Sequence, residues 1–136
     1  MRIIVDTNRI ISALIKEGLT RDVITSEKIE FYSLDYVTEE VRKYIEYIIS
    51  KSTLNKKEIE LLFMLLMEKI NIVPDEKIKT YMKEATNIMK NIDERDAPIM
   101  ACALAVPNEG IWTEDKHFKQ QDKVRVWATE ELSKYI

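Results

Sequence analysis

The chain has 136 residues, of which 46% are hydrophobic and 33% are charged, and it contains only two glycines, three prolines and one cysteine. This composition excludes a disordered chain and a disulfide-stabilised scaffold, and we expect a single domain over residues 1–136 that buries its own core. The formal net charge of −3 excludes a strongly basic nucleic-acid coat, so any attraction for nucleic acid must come from local basic groups or bound cations.

Apolar segments are short throughout the sequence. None approaches the roughly 18 consecutive apolar residues that a membrane-spanning helix requires. The apolar run near the N-terminus ends after three residues, at Asp6, which is too soon for the core of a signal peptide. We therefore expect a cytoplasmic protein that does not enter a membrane.

The first strand is predicted at residues 3–5, an apolar run typical of a buried parallel strand. A helix follows over residues 8–16, and Gly18 marks its end. Thr20 is predicted to cap a second, short helix that reaches residue 26. Residues 30–33 form the second predicted strand.

The middle of the chain is predicted to be mostly helical. Thr38 is predicted to cap a long helix that reaches residue 52. Asn55, followed by Glu58 three residues later, is the start signal of a helix that reaches residue 69. Residues 72–73 form a minimal third strand, and a further helix is predicted over residues 76–91.

The last third of the chain returns to short strands. A helix is predicted to begin near Asp96, with Pro98 in its first turn, and to end near residue 106. Strands are predicted at residues 111–112 and 124–126, and Thr129 is predicted to cap a terminal helix. Because strands and helices alternate along the chain, we predict an α/β fold, a three-layer α/β/α sandwich with a central parallel sheet of about five short strands.

Four acidic residues lie where predicted strands end or predicted helices begin. Asp6 follows the first strand directly, and Glu40 lies in the first turn of the helix after the second strand. Asp96 opens the helix that leads to the fourth strand, and Asp115 follows that strand. Ligands of parallel sheets bind beyond the carboxyl ends of the strands, so these acids converge if the first and fourth strands are neighbours.

Four carboxylates in one place repel each other unless a cation lies between them. A set of oxygen ligands without cysteine or a histidine cluster suits hard divalent ions, so we predict a site for Mg²⁺ or Mn²⁺. Such an ion activates water and stabilises charge on a phosphate. In the alternative interpretation, Glu40 only complements the helix dipole and Asp96 only caps a helix.

Four segments then resemble the PIN-domain family, in order and at suitable spacing. They are IVDTN at residues 4–8, DYVTEEVRKY at 35–44, DERDAPIMACALA at 93–105 and WTEDKHF at 112–118. The resemblance extends from residue 3 to about residue 126 and includes the VapC-type toxins of toxin–antitoxin pairs. It implies a PIN-like fold, a metal-dependent ribonuclease and an antitoxin protein as a partner.

The resemblance also implies roles for particular residues. Asp6, Glu40, Asp96 and Asp115 would hold one or two metal ions, with Asp93 as an auxiliary acid. Asp93 is the alternative to Asp96 as the third acid of the family, and Asp96 is preferred because the helix rich in small residues follows it directly. Asn8 and Thr113 would orient the liganding carboxylates by hydrogen bonds. The family commonly carries glycine between the threonine and the last aspartate, where this chain has Glu114, which adds negative charge near the site.

Basic side chains beside these acids are candidates for contacts with RNA phosphates. The candidates are Arg9, Arg95, Lys116 and Lys119. Ordinary surface charge is the alternative interpretation for each of them. His117, the only histidine, is either a proton shuttle beside the acids or a surface residue. Cys102 lies in an apolar helical segment and is predicted to be an inert core thiol.

Two helical stretches, residues 44–49 and 54–69, carry more apolar positions than one helix face can bury. We predict that part of this surface forms a homodimer. Trp112 and Trp127 are predicted to pack in the interior rather than to stack on bases.

The leading functional hypothesis is hydrolysis of RNA phosphodiester bonds by metal-assisted catalysis. A second hypothesis is a phosphohydrolase with Asp6 as its nucleophile, although such sites usually carry a second aspartate where this chain has Asn8. A third is a non-catalytic PIN-like subunit that binds RNA or serves as a scaffold. The presence of all four acids favours the first hypothesis.

Overall fold

A sheet of five parallel strands lies at the centre of the protein in a computed structural model that describes all residues, 1–136. The strands are Arg2–Val5 (β1), Glu30–Leu34 (β2), Ile70–Val73 (β3), Ile111–Trp112 (β4) and Val126–Trp127 (β5). Their order across the sheet is β3-β2-β1-β4-β5, and every neighbouring pair is parallel. The predicted parallel sheet of about five short strands is confirmed.

The first strand occupies the centre of the sheet. Its Ile4 is in register with Tyr32 of β2 on one side and with Ile111 of β4 on the other. Val5 is in register with Trp112. The first and fourth strands are therefore neighbours, which is the condition under which Asp6 and Asp115 come together.

Eight α-helices cover the two faces of the sheet. They are Thr7–Ile15 (α1), Leu19–Ile24 (α2), Tyr36–Lys43 (α3), Ile45–Lys51 (α4), Lys56–Lys69 (α5), Asp75–Met89 (α6), Ala97–Ala105 (α7) and Thr129–Ser133 (α8). Two short 3₁₀ helices, Glu94–Asp96 and Lys116–Gln120, lie before α7 and after β4.

Alternate side chains of β1 enter two different cores, as the pleat of a strand requires. Ile3 and Val5 face one core, which α1 to α5 and α8 help to form. Ile4 faces the other core, against α6 and α7. The three-layer α/β/α architecture is confirmed.

The core on the α7 side contains Cys102. This residue is fully buried, and burial raises the pKa of its thiol to about 12. A thiol that stays protonated in an apolar core is a poor nucleophile. The predicted position of this thiol in the core is confirmed.

The predicted long helix from Thr38 to residue 52 is wrong. Asp35 occupies the N-cap position, Thr38 lies inside α3, and the chain leaves helical geometry at Tyr44 before α4 begins. Val41 and Ile48, on either side of this break, are both buried in the same core.

Two further threonine caps are also wrong. Gly18 occupies the N-cap position of α2, and Ala128 occupies that of α8. The Thr129 hydroxyl accepts a hydrogen bond from Trp112 Nε1 at 3.0 Å instead. The cap at Asn55 is confirmed, since its Oδ1 accepts from the Glu58 backbone N–H at 2.9 Å.

Most element boundaries lie within two residues of the prediction. The third strand starts two residues earlier than predicted, at Ile70, directly after α5. The fifth strand is Val126–Trp127 rather than residues 124–126, because Trp127 is in register with Trp112. Both tryptophans are buried, as predicted.

The outer face of α5 is apolar and exposed. Leu61, Met64 and Leu65 lie there, and 62% of Met64 is accessible to solvent. The homodimer inferred from this helix stays a prediction. None of the helices combines the length and the apolar character needed to cross a bilayer.

Candidate metal centre

A cavity of about 290 Å³ lies at the carboxyl ends of β1 and β4. It brings together five acids from distant parts of the sequence. They are Asp6, Glu40, Asp93, Asp96 and Asp115. The convergence that the sequence predicted for four of these acids is therefore present, and Asp93 joins them.

Thr113 links two of the acids. Its Oγ1 donates a hydrogen bond to Asp6 Oδ2 at 2.7 Å and accepts one from the Asp115 backbone N–H at 3.0 Å. The Asp6 backbone N–H donates to Trp112 O at 3.1 Å, which ties the end of β1 to β4. Thr113 thus has the orienting contact that the resemblance implied.

Asp6 is a partly buried carboxylate. Burial raises its pKa above the usual range, the hydrogen bond from Thr113 lowers it, and the charge of Asp115 raises it again. Asn8 lies on the cavity wall, yet its side chain forms no hydrogen bond with an acid. The orienting role predicted for the Asn8 side chain therefore stays a prediction without a contact to support it.

Asp93 is held by Arg95. Its Oδ1 accepts hydrogen bonds at 3.0 Å from both the backbone N–H and Nε of Arg95, and its Oδ2 accepts one from Nη2 at 2.8 Å. These bonds lower the pKa of Asp93 to about 2, so the carboxylate stays ionised. Arg95 is thus present in the cavity, where it is engaged with an acid.

Asp96 occupies the N-cap position of α7, but its side chain forms no capping hydrogen bond. The interpretation of Asp96 as only a helix cap is therefore wrong. Burial, followed by the charges of three neighbouring acids, raises the pKa of Asp96 to about 6. Its Oδ2 is buried and lacks a hydrogen-bond partner.

His117 faces the same group of oxygens. Its Nδ1 lies 3.4 Å from Asp93 Oδ2, 3.5 Å from Asp96 Oδ2 and 3.2 Å from Asp115 Oδ1. This nitrogen is also buried without a hydrogen-bond partner. The only sequence signal for His117 was its position two residues after Asp115. That signal did not distinguish a histidine of the site from an ordinary surface histidine.

The donor atoms fit a divalent cation. Asp93, Asp96 and His117 each offer one ligand atom, and the three atoms lie within 4.8 Å of one another. Buried polar atoms without partners are costly unless something binds them, and a cation would satisfy both Asp96 Oδ2 and His117 Nδ1. Of the four acids singled out in the sequence, only Asp96 belongs to this trio, while Asp6, Glu40 and Asp115 line the cavity around it.

The remaining basic candidates lie outside this cavity. Arg9, only 14% exposed, lines a neighbouring cavity of about 490 Å³ and places Nη1 4.0 Å from Glu114 Oε1. Lys116 and Lys119 are exposed and line neither cavity. Their predicted contacts with RNA stay predictions.

Glu114 turns away from the acids. Its Oε1 accepts hydrogen bonds from the Thr129 backbone N–H at 3.2 Å and from Thr129 Oγ1 at 2.9 Å. Its backbone needs no positive φ, so a glycine is not required at this turn. The expected extra negative charge is therefore directed toward Arg9 and α8.

The family model of the PIN domain matches residues 4–136. No curated protein and no solved structure shows a significant match to the chain. PIN domains are generally metal-dependent nucleases, which agrees with an acidic cavity at the carboxyl ends of parallel strands. The chain belongs to the PIN-domain family.

Proposed function

We propose that the protein is an endoribonuclease that hydrolyses RNA phosphodiester bonds with Mg²⁺ or Mn²⁺. One observation carries the proposal: five carboxylates surround one cavity, and Asp96 Oδ2 is buried there without a partner. Such an arrangement is unfavourable until a cation binds, and catalysis commonly uses sites of this kind.

The chain's own groups define the chemistry of the site. A divalent ion, when bound, supplies a water of lowered pKa and neutralises charge on the phosphate. Asp93 and Asp96 would hold that ion. Thr113 fixes the Asp6 carboxylate through a 2.7 Å hydrogen bond, so Asp6 can receive a proton at a defined place.

RNA would approach this acidic cavity through positive charge around it. Arg95 is exposed at the cavity, and its guanidinium is oriented by Asp93. Arg9, Lys116 and Lys119 would contact phosphates on either side of the scissile bond. The formal net charge of −3 makes such local contacts necessary.

We propose two protein partners from the resemblance to VapC-type toxins and from the exposed face of α5. An antitoxin protein would cover the acidic cavity in the cytoplasm, and a second copy of the chain would cover Leu61, Met64 and Leu65. The exposed apolar surface of these residues supports an interface.

Cleavage of a labelled single-stranded RNA by the purified protein tests the proposed activity. Cleavage is expected with Mn²⁺ or Mg²⁺, none with EDTA, and a loss of about 100-fold or more in Asp6→Asn. Asp122→Asn is the matched control, because Asp122 is exposed and lies outside the cavity. Equal cleavage by wild type and Asp6→Asn would remove the proposed site, and an inactive wild type that binds RNA would favour a non-catalytic subunit.

A further inference from the structure

We propose that His117 is a metal ligand through Nδ1 and that it makes the site prefer late first-row divalent ions, such as Co²⁺, Ni²⁺ and Zn²⁺, over Mg²⁺. The inference rests on the proposed metal-dependent function and specifies which ions that site selects. It adds a nitrogen donor to a site that the sequence described with oxygens alone.

The first support is the position of the nitrogen. His117 Nδ1 lies between 3.2 and 3.5 Å from oxygens of three carboxylates, and none of these contacts meets the geometry of a hydrogen bond. In the neutral tautomer with its proton on Nε2, the imidazole would direct the Nδ1 lone pair at several negative oxygens, which is unfavourable in itself. A cation between the nitrogen and the oxygens turns the same arrangement into a binding site.

The second support is that the turn holds the imidazole in place. The His117 backbone N–H donates to Asp115 Oδ1 at 2.9 Å, and the next residue, Phe118, is fully buried. Although 42% of the His117 side chain is exposed, Nδ1 itself is buried. The ring therefore has one side toward solvent and its Nδ1 toward the acids.

The third support is that the neighbouring carboxylate oxygens have lone pairs free to bind a metal ion. Asp96 Oδ2 has no hydrogen-bond partner, and Asp93 Oδ2 uses one interaction with Arg95 and keeps a further lone pair. Asp93, Asp96 and His117 each offer one ligand atom, and these three atoms lie within 4.8 Å of one another. Two oxygens and one nitrogen can thus bind the same ion.

The selectivity follows from the ligand type. Mg²⁺ prefers oxygen ligands and gives up its water reluctantly, whereas imidazole nitrogen suits Co²⁺, Ni²⁺ and Zn²⁺. One nitrogen in place of an oxygen raises affinity for the later ions more than for Mg²⁺. Mn²⁺, which accepts both ligand types, is expected to lie between these groups.

The variant His117→Asn isolates this effect, because the asparagine amide can present an oxygen near the position of Nδ1. Calorimetric titrations with Co²⁺ alone and Mg²⁺ alone would compare wild type, His117→Asn and the control Gln120→Ala. Gln120 lies in the same 3₁₀ helix, is exposed and does not line the cavity. Circular dichroism would check that all three chains fold.

We expect the ratio of Co²⁺ affinity to Mg²⁺ affinity to fall about tenfold or more in His117→Asn and to stay unchanged in Gln120→Ala. An unchanged ratio in His117→Asn, with both ions still bound, would overturn the role of His117 and leave the metal site standing. Tighter Co²⁺ binding in the variant would also overturn it, because His117 would then be a positively charged competitor of the metal. Failure of wild type to bind either ion would overturn the proposed function as well.

The single histidine permits a second measurement that does not depend on a variant. The ¹⁵N resonance of imidazole Nδ1 should shift when stoichiometric Zn²⁺ is added to the wild-type protein. A shift at Nε2 alone, or no shift while Zn²⁺ binds by calorimetry, would contradict ligation through Nδ1.

Discussion

Charged groups have different surroundings at the two ends of the parallel sheet. At the amino ends, Arg2 Nε lies 3.3 Å from Glu30 Oε2, and the Arg2 backbone N–H donates to Glu109 Oε2 at 2.7 Å. At the carboxyl ends, Asp96 Oδ2 and His117 Nδ1 are buried without hydrogen-bond partners. Charges are paired at one end and crowded at the other.

The two ends of the sheet therefore contribute differently: the amino ends contribute to stability, and the carboxyl ends form the functional site. The amino ends hold a tight turn and surface ion pairs, which serve the folded state. The carboxyl ends concentrate carboxylates whose mutual repulsion weakens the metal-free protein, as functional sites often do. A substitution at the amino ends should therefore change stability without changing metal affinity, and a substitution at the carboxyl ends should act mainly on the metal site.

The largest effect on stability is expected at Gly110, just before β4. This residue has φ +137°, and a Cβ there would lie 2.4 Å from Arg125 O and 2.8 Å from Trp127 Nε1. We expect Gly110→Ala to lower the free energy of unfolding by about 4 kcal/mol, from backbone strain and overpacking. Urea denaturation measures this change.

The chain's other glycine is the matched control. A Cβ on Gly18 would meet nothing within 4 Å, and the backbone there is extended. Gly18→Ala should change the stability by less than about 1 kcal/mol. Similar losses in both variants would contradict the steric explanation for Gly110.

The next effect concerns Thr113 at the carboxyl ends. Thr113→Val removes the donor to Asp6 Oδ2 and the acceptor of the Asp115 N–H, so both carboxylates lose their orientation. Metal affinity should fall about tenfold or more, as measured by Mn²⁺ titration calorimetry. Thr113→Ser keeps the hydroxyl and should keep the affinity, and equal losses in the two variants would show that the methyl group matters instead.

A smaller effect of opposite sign is expected for Asp96→Asn without metal. The folded-state pKa of Asp96, about 6, exceeds the ordinary value of 3.8, so the native protein holds the extra proton between these values. Its stability therefore falls as the pH rises from about 4 through about 6. After allowance for solvent screening, we expect the variant to be about 1 kcal/mol more stable at pH 7.

Thermal unfolding in EDTA at pH 4 and pH 7 measures that difference. The two proteins should have similar stability at pH 4, where Asp96 is protonated, and should separate at pH 7. A variant that is less stable at pH 7 would mean that the Asp96 carboxylate is not repelled by its neighbours.

The smallest effect is expected for the ion pair at the amino ends. Arg2 and Glu30 are both exposed, so their attraction is screened by water. Arg2→Ala should lower the stability by about 0.5 kcal/mol or less, as measured by urea denaturation. A loss several times larger would show that this end of the sheet depends on charge.

The sequence was most informative about the sheet and the acids. The apolar run of β1, followed directly by Asp6, and the position of Asp115 after β4 were sufficient to predict a shared edge. The strand order was not determined by the sequence alone, because it depends on contacts between distant segments. The convergence of Asp6 and Asp115 was therefore conditional on β1 and β4 being neighbours, which the structure shows.

The errors come from tertiary contacts that local patterns do not contain. The Thr129 hydroxyl binds Trp112, 17 residues away, instead of capping α8. The chain leaves helical geometry at Tyr44, which the helical pattern of residues 38–52 did not indicate. The position of the His117 ring depends on the turn at Asp115, whose carboxylate accepts a hydrogen bond from the His117 backbone N–H. Arg9 lines the cavity that Glu114 also lines, and not the cavity of the acids.

An anomalous difference map from a crystal of the protein soaked in Mn²⁺ would show whether the acidic cavity binds a divalent ion. We expect a peak in the acidic cavity within coordinating distance of Asp96 Oδ2. Mn²⁺ bound elsewhere on the protein, with no peak in this cavity, would contradict it.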